Sequence, residues 1–574
     1  MAYVVAWFVF DGQPIDENMW RRLVQRSRLR APLSPDSWGY ELRLPCLRAY
    51  AIKVRASEPE PLIQLEDGRI LLSDSERPLE LGALETSLND PCAQVVIDLR
   101  QMRATMSRDR LGQRPLVWAR VSGALLVASK ESILLGHPKI GAELDEEYLC
   151  AHLAGVNAVP GHTLYRQIAA VDPGSVAVVD GSRVQVRSVA FDPDPIAYAM
   201  RDEPAGNRFR DLLEGSVARS CDGVSELGVC LSAGLDSSSI AVLLPKSRQT
   251  SSTVALNYGT TYRGSVDERG LARELCSRIG LRYEGLDTAD YPPTLDLLGM
   301  DADPGHPYVN PYLALNAAVY RRFRDLGVDV FLTGHFADFW NPGPEAWLRD
   351  ALRNRRWQLI TDMIAGHWRQ GGIGALWHDQ GWRYLAKLML RRNTGRRGFE
   401  WLAPSWREWV WDRIANDLRR FADWPHPDRA AYNFGSAAAL DGAYEGHFRD
   451  QFGIHSRHPY RNWPLLQFAL SLPAYQNRRG LSDKWVARRA VAGILPERWS
   501  ERPKQGGLLP FLQATEEVHG RAGLRQLIDD GQALWKTYLD KKYVDSLLAT
   551  REAVEDWLFW QLVMMGVWQR HAQP

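Results

Sequence analysis

Residues 226–241 constrain what this chain can fold into more than any other stretch. The apolar run from Leu227 to Leu231 has the character of a buried strand, and Ile240-Ala-Val-Leu243 that of a packed helix. Between them lies a turn of mostly small residues, Ser232, Ala233, Gly234, Leu235, Asp236, Ser237 and Ser238. A strand that ends in a tight turn and restarts as a helix aims free backbone N–H groups and the positive end of the helix dipole at one point. That point suits an anionic phosphate group. Asp236 is out of place beside an anion unless a divalent cation bridges it to the phosphates. The plainer alternative is an ordinary strand-to-helix turn.

The turn is not the Gly-x-x-x-x-Gly-Lys-Ser/Thr loop of the common ATPases. It resembles the Ser-Gly-Gly-x-Asp-Ser signature of the PP-loop ATP pyrophosphatases, with Ala233 in place of the first Gly. Those enzymes cleave ATP between the α- and β-phosphates, so the resemblance implies ATP and Mg2+. Further strands are predicted over residues 253–258 and 328–333, with helical patterns between them. Strands separated in this way imply a parallel, doubly wound sheet with ligands at the strands' carboxyl ends. Asn257 on one strand, and Thr333 and Gly334 at the end of another, join residues 231–238 as nucleotide-binding candidates.

The first 190 residues differ in kind. Short β-like runs over residues 3–10, 48–54, 94–99, 116–120, 124–129 and 175–179 are punctuated by Asp-Gly and Ser-Gly turns. Two segments are more specific. One is Ser107-Arg-Asp-Arg-Leu-Gly-Gln-Arg-Pro-Leu116, followed by Ala128-Ser-Lys-Glu131; the other is Gly161-His-Thr-Leu-Tyr-Arg-Gln-Ile168, followed by Asp172-Pro-Gly174. Both look like the glutamine amidotransferase half of asparagine synthetases. That family carries a Cys directly after the initiator Met, and here position 2 is Ala2. Without a nucleophile this half is expected to be an inert scaffold. Cys46 cannot substitute for an N-terminal thiol. The prolines and charge of residues 191–196 and 201–206 predict a linker.

The resemblance continues through the second half. Thr333-Gly-His-Phe-Ala-Asp338 sits where asparagine synthetases have Ser-Gly-x-Gly-Ala-Asp-Glu, with Phe336 and Phe339 replacing the second Gly and the Glu. By this match Asp338 joins Asp236 as a metal-binding carboxylate; a helix N-cap is the plainer alternative. Residues 340–430 are mostly helical and rich in Trp, with a basic run at residues 391–398. Asp441-Gly-Ala-Tyr-Glu445 resembles a stretch of β-lactam synthetase in which a Glu helps deprotonate the attacking amine. This makes Glu445 the candidate general base, with Tyr444 nearby; a surface helix is the other reading. Gly453-Ile-His-Ser-Arg-His-Pro-Tyr-Arg-Asn462 matches the family's Glu-x-Arg-x-Pro-Phe-x-Asp at Arg457 and Pro459, with His455 and Asn462 in place of acids. The series Ser482-Asp-Lys-Trp-Val-Ala-Arg-Arg-Ala490 and Arg502-Pro-Lys-Gln-Gly506 looks like the family's Lys- and Arg-bearing segments. The resemblance assigns Lys504 to charge building on the α-phosphate and acyl-adenylate, and Lys484 to departing pyrophosphate.

The expected architecture is therefore α/β. Residues 1–195 form an Ntn-hydrolase-like (class II glutamine amidotransferase-like) sandwich, and residues 205–574 a PP-loop ligase domain with a helical extension. The expected chemistry is adenylation of a carboxylate followed by amine attack. Relatives without the N-terminal Cys include β-lactam synthetases and lasso-peptide cyclases. The Trp- and Arg-rich region favours the cyclase, which joins a peptide's N-terminal amine to an Asp or Glu side chain. That implies a peptide substrate, a leader peptidase and a leader-recognition protein as partners. A β-lactam synthetase-like or other ammonia-independent ligase is the second reading, and an inactive scaffold the third.

Bulk properties only exclude. A net charge of +1 gives no argument for nucleic acid. Six scattered cysteines without a Cys-x-x-Cys pair suggest reduced thiols in a cytoplasmic protein, not zinc or disulfides. Residues 2–10 lack the basic leader of a signal peptide, and no stretch approaches the ~20 apolar residues of a membrane span.

Overall fold

The computed structural model describes residues 2–30, 38–53, 60–65, 67–75, 88–245, 252–259, 261–262, 266–295, 306–307, 310–342, 344–378, 398–479, 482–502, 507, 509–550 and 552–571. The first half contributes β1 (Ala2–Val9), β2 (Trp38–Leu44), β3 (Leu47–Lys53), β4 (Leu62–Gln64), β5 (Ile70–Ser75) and β6 (Cys92–Asp98). It continues with β7 (Arg103–Arg108), β8 (Val117–Val121), β9 (Ala124–Ala128), β10 (Ala169–Ala170), β11 (Ser175–Asp180) and β12 (Arg183–Ser188). They form two antiparallel sheets, ordered β10–β8–β9–β1–β3–β2 and β12–β11–β7–β6–β5–β4. Val4, Ala6 and Phe8 of β1 face the second sheet and meet Val95, Ile97 and Met106. Its alternate residues Tyr3, Val5 and Trp7 pack in the core that includes Trp20 and Leu23 of the Glu17–Arg30 helix. Covered on both faces, β1 is apolar at every position, which explains its unbroken hydrophobic run.

Residues 202–206, expected in a linker, instead open the Asp202–Cys221 helix. Pro204 sits in its first turn, where no intrahelical N–H is required, and Asp202 and Glu203 complement the dipole. The features taken for a linker are those of a helix start.

The second half is built on β13 (Leu227–Cys230), β14 (Val254–Tyr258), β15 (Arg282–Leu286), β16 (Val330–Leu332) and β17 (His455–Arg457). All neighbours are parallel, in the order β15–β14–β13–β16–β17. Leu227 and Val229 pack against Phe209, Leu213 and Val217 of the Asp202–Cys221 helix. The other face carries Phe331 against Tyr320 and Phe323 of the Leu313–Asp325 helix and Phe448 of the Ser436–Phe452 helix. The strand order reverses between β13 and β16, which opens a crevice at their carboxyl ends. β17 was not foreseen as a strand; it joins β16 although more than a hundred residues separate them.

Side chains tie the halves together. Asn157 donates to Asp417 (2.9 Å) and to the Ala431 carbonyl (2.8 Å) and accepts from the Ala437 N–H (3.0 Å). Lys130 pairs with the buried Asp450 at 2.6 Å. Trp347 is buried, Trp401, Trp406 and Trp409 pack against the core, and Trp357 and Trp368 are 60% and 63% exposed. Trp382 and the basic run over residues 391–397 lie outside the described residues. Among the described residues no helix is long and apolar enough to cross a membrane.

Candidate functional site

The crevice between β13 and β16 is flanked by two loops. The first is the turn after β13, leading into the Leu235–Val242 helix with Gly234 at its N-cap. Burial alternates along it: Ser232, Gly234 and Asp236 are partly open, while Leu231, Ala233, Leu235 and Ser237 point inward. Ser237 accepts from the Ser232 N–H and bonds the Ser232 hydroxyl, both at 3.1 Å, which closes the turn. Ser238 is wholly buried, so its hydroxyl is not presented at the open face. Asn257 is also buried, and its amide donates to the Leu231 carbonyl at 2.7 Å. It braces the turn from beneath instead of lining it, as the sequence had suggested.

The second loop follows β16. The Thr333 hydroxyl bonds His458 Nδ1 at 2.7 Å and accepts from the His335 N–H at 3.2 Å. A Cβ added at Gly334 would stand 3.0 Å from the Ser237 nitrogen and 3.1 Å from Asp236 Cβ, so glycine lets the two loops touch. Residues 335–340 form turns, and no helix begins at Asp338, which removes the N-cap reading of that carboxylate.

Lys484 joins the loops. Its Nζ lies 2.5 Å from Asp236 Oδ2 and 2.6 Å from Asp338 Oδ1. The lysine side chain is 8% exposed, against 24% for Asp236 and 53% for Asp338. Burial works against the ammonium, but the two carboxylates outweigh it and hold the lysine pKa above its ordinary value. Two acid oxygens from separate loops thus converge on one cationic centre. Among the described residues no group of three or more His, Cys, Asp or Glu could hold a metal unaided. Asp236 and Asp338 therefore fit a Mg2+ ion that brings further oxygens with it, the usual situation for Mg2+ on phosphates.

Backbone strain concentrates here. Ala233 (φ +56°), Phe336 (φ +70°) and Lys484 (φ +56°) all occupy the left-handed region, at a cost of about 1–2 kcal/mol each. Ala233 and Phe336 stand where the resembled motifs have glycine, and the glycine backbone persists without the glycine. The Phe336 ring offsets the cost: it is 3% exposed, lies beneath the Arg461 guanidinium at 4.4 Å, and meets Phe339 edge-on at 5.2 Å.

Glu445 and Tyr444, adjacent on the Ser436–Phe452 helix, point about 100° apart and do not work as a pair. Tyr444 accepts from Asn316 at 2.9 Å. Glu445 Oε2 accepts from Tyr320 at 2.6 Å and from Ser456 at 3.3 Å. These partners lie on the sheet face opposite the Leu235–Val242 helix. Tyr320, missed in the sequence, is the tyrosine coupled to Glu445; its helical spacing carried no such signal. Lys504 lies outside the described residues. Two positions earlier, Arg502 is anchored to Glu268 at 2.7 Å.

The family-like segments of the first half have a different use. Arg108 donates to the carbonyls of Arg114 (2.7 Å), Gly112 (2.8 Å) and Val171 (3.1 Å). Asp109 accepts the N–H groups of Leu111, Gln113 and Arg114. Both clamp backbone. Ala2 starts β1 opposite Lys53, whereas Cys46 lies beyond the Phe8–Leu47 pair at the other end of the strand, on the order of 20 Å away. Burial pushes the Cys92 and Cys150 thiols up, the latter to about 12.

Comparison with known proteins agrees with this division. Residues 208–570 match the family described as asparagine synthase, and residues 83–189 that described as glutamine amidotransferase domain. Asparagine synthetase (glutamine-hydrolyzing) 2 of Bacillus subtilis (strain 168) is 21% identical over 438 residues, covering 71% of this chain and 54% of that protein. Asparagine synthetase (glutamine-hydrolyzing) 3 of the same organism is 28% identical over 162 residues, covering 27% of this chain and 25% of that protein. The chain thus spans about half the length of the first relative and a quarter of the second. The structure of the allosteric regulatory enzyme of purine biosynthesis aligns over 58% of this chain and 89% of that chain, at 12% identity and a TM-score of 0.23.

Proposed function

The chain belongs to the asparagine synthase family, and on that premise we propose that it is an ATP-dependent carbon–nitrogen ligase. A carboxylate displaces pyrophosphate from ATP to give an acyl-adenylate, and an amine then displaces AMP to give an amide. The observation that carries this reading is the convergence of Asp236, Asp338 and Lys484 at the strand-order reversal. The backbone around Ser232 and Gly234 and the start of the Leu235–Val242 helix favour an anion at that point. Lys484, charged at neutral pH, offsets the negative charge of pyrophosphate as it leaves. Asp236 and Asp338 would hold a Mg2+ ion, which would supply further charge neutralisation there.

We further propose that the amine is not ammonia. Ala2 offers no nucleophile for glutamine hydrolysis, and the Arg108–Asp109 segment is committed to backbone contacts. A lasso-peptide cyclase fits these features: the amine is a peptide's own N-terminus and the carboxylate an Asp or Glu side chain. Phe336 and Phe339, aromatic where the family motif has Gly and Glu, favour a remodelled substrate site over one for aspartate. A leader peptidase and a leader-recognition protein, acting before this enzyme, are the partners this reading proposes. The Tyr320–Glu445 pair suits deprotonation of any amine, so a β-lactam synthetase-like reaction is the second reading.

The test is incubation with ATP, Mg2+ and a linear core peptide carrying a free amine and an acidic residue within ring-forming distance. The expected outcome is loss of one water from the peptide mass, with AMP and pyrophosphate released. Formation of AMP with small amino-acid substrates only would favour the second reading. Glutamine added to the same mixture is expected neither to be hydrolysed nor to raise the yield.

A further inference from the structure

A cavity of about 430 Å3 lies between the two halves, within the roughly 300–1,000 Å3 of small-molecule pockets. One wall is residues 152–156, at the end of the first half's Glu146–Ala154 helix. The other is aromatic: Trp401, Tyr432, Tyr444, Tyr543 and Trp557. Charge is sparse. Among the described residues the one carboxylate in the lining is Asp556, whose Oδ1 accepts the Leu558 N–H at 2.8 Å. His152 is kept neutral by burial, which lowers its pKa to about 4.

The wall from the first half is held firmly. Gln561 donates to the His152 carbonyl at 2.7 Å, Trp401 to the Leu153 carbonyl at 3.4 Å, and Tyr148 bonds His306 at 3.1 Å. Aromatic faces in a cavity of low charge select apolar and aromatic groups. Tyr444 places the cavity one residue along the helix from Glu445.

We propose that this cavity receives an aromatic or large apolar side chain of the peptide substrate, and that the first half is retained because it forms one wall of the pocket. The inference rests on the peptide-ligase reading above and extends it by naming the chemistry of the side chain bound. It gives the first half, with Ala2 at the head of β1, a positive role in substrate recognition.

The experiment measures binding to the full-length protein by ligand-observed NMR, with N-acetyl-tryptophanamide as probe and N-acetylglycinamide as control. Tryptophanamide is expected to bind and glycinamide not. Ala154→Phe, which pushes a ring into the cavity from the first half, is expected to weaken the probe about tenfold or more. Trp557→Ala removes a half-exposed rim residue without disturbing the core, and is expected to weaken it about three- to tenfold. Should Ala154→Phe fail to fold, by thermal melting, Trp557→Ala decides. Equal binding of the two amides, or tryptophanamide binding unchanged in the folded variants, would overturn the proposal. The readout needs no turnover. Absence of ATP-dependent chemistry with every peptide would remove the ligase reading and leave the binding result standing.

Discussion

In the first half, Arg108 and Asp109 are buried and every hydrogen bond described for them goes to backbone, while position 2 carries a methyl group. In the second half, Ala233 and Phe336 likewise serve the backbone, but Asp236, Asp338 and Lys484 stay at the mouth of a crevice and hold one another. Both halves keep the residues that close their loops. In the second, charged groups from separate loops converge on one point at the crevice. Buried clamps persist because removing them costs stability whatever the chemistry. Charges that converge at a crevice have no such reason to persist and point to a ligand.

The sharpest way to break this comparison is Asp236→Ala. ATP-dependent turnover is expected to fall at least about 10³-fold, the effect of losing several kcal/mol of charge stabilisation. Thermal stability should change little, because Lys484 keeps Asp338. Activity within tenfold of the parent would remove the metal assignment. Phe336→Gly comes next. It relieves about 1–2 kcal/mol of left-handed strain but deletes a buried ring worth about 3–5 kcal/mol. A net loss of about 1–4 kcal/mol in urea unfolding is expected; a gain would mean the ring packs poorly.

Lys130→Met tests the seam between the halves. Asp450 keeps Arg449 at 3.0 Å, so the expected loss is about 2 kcal/mol, below the 3–5 kcal/mol of an uncompensated buried charge. A second, separate unfolding transition would show that the halves are less coupled than their contacts imply. Ala233→Gly is the mildest. Relief of the positive φ and the added freedom of glycine in the unfolded chain oppose each other. Stability should stay within about 1 kcal/mol with turnover intact, and loss of turnover would show that the Ala233 methyl has a role beyond the backbone.

Legibility followed physics. Strands β1, β3, β6, β9, β11, β13, β14 and β16 were visible because burial forces apolar runs. β12 was not: all six of its residues are exposed, so nothing in its pattern separates it from a loop. β17, His-Ser-Arg, carries no strand signature at all, and its place comes from pairing with β16. Asn257 was seen as a nucleotide contact because type and strand position cannot tell a ligand from a brace. Tyr444 stands next to Glu445 in the sequence and Tyr320 does not, yet adjacent helical residues diverge and it is Tyr320 that bonds Glu445.

What the sequence alone determined is the order of strand, small-residue turn and helix after Leu227, the absence of a thiol at position 2, and the carboxylates and lysine available for chemistry. Each is local, set by residue type or by the spacing of apolar side chains along the chain. Only the tertiary structure decided that Asp236, Asp338 and Lys484 meet, that Tyr320 joins Glu445, and that the two halves share a cavity. Those outcomes depend on which strand lies beside which, and strand order is settled by the packing of whole faces.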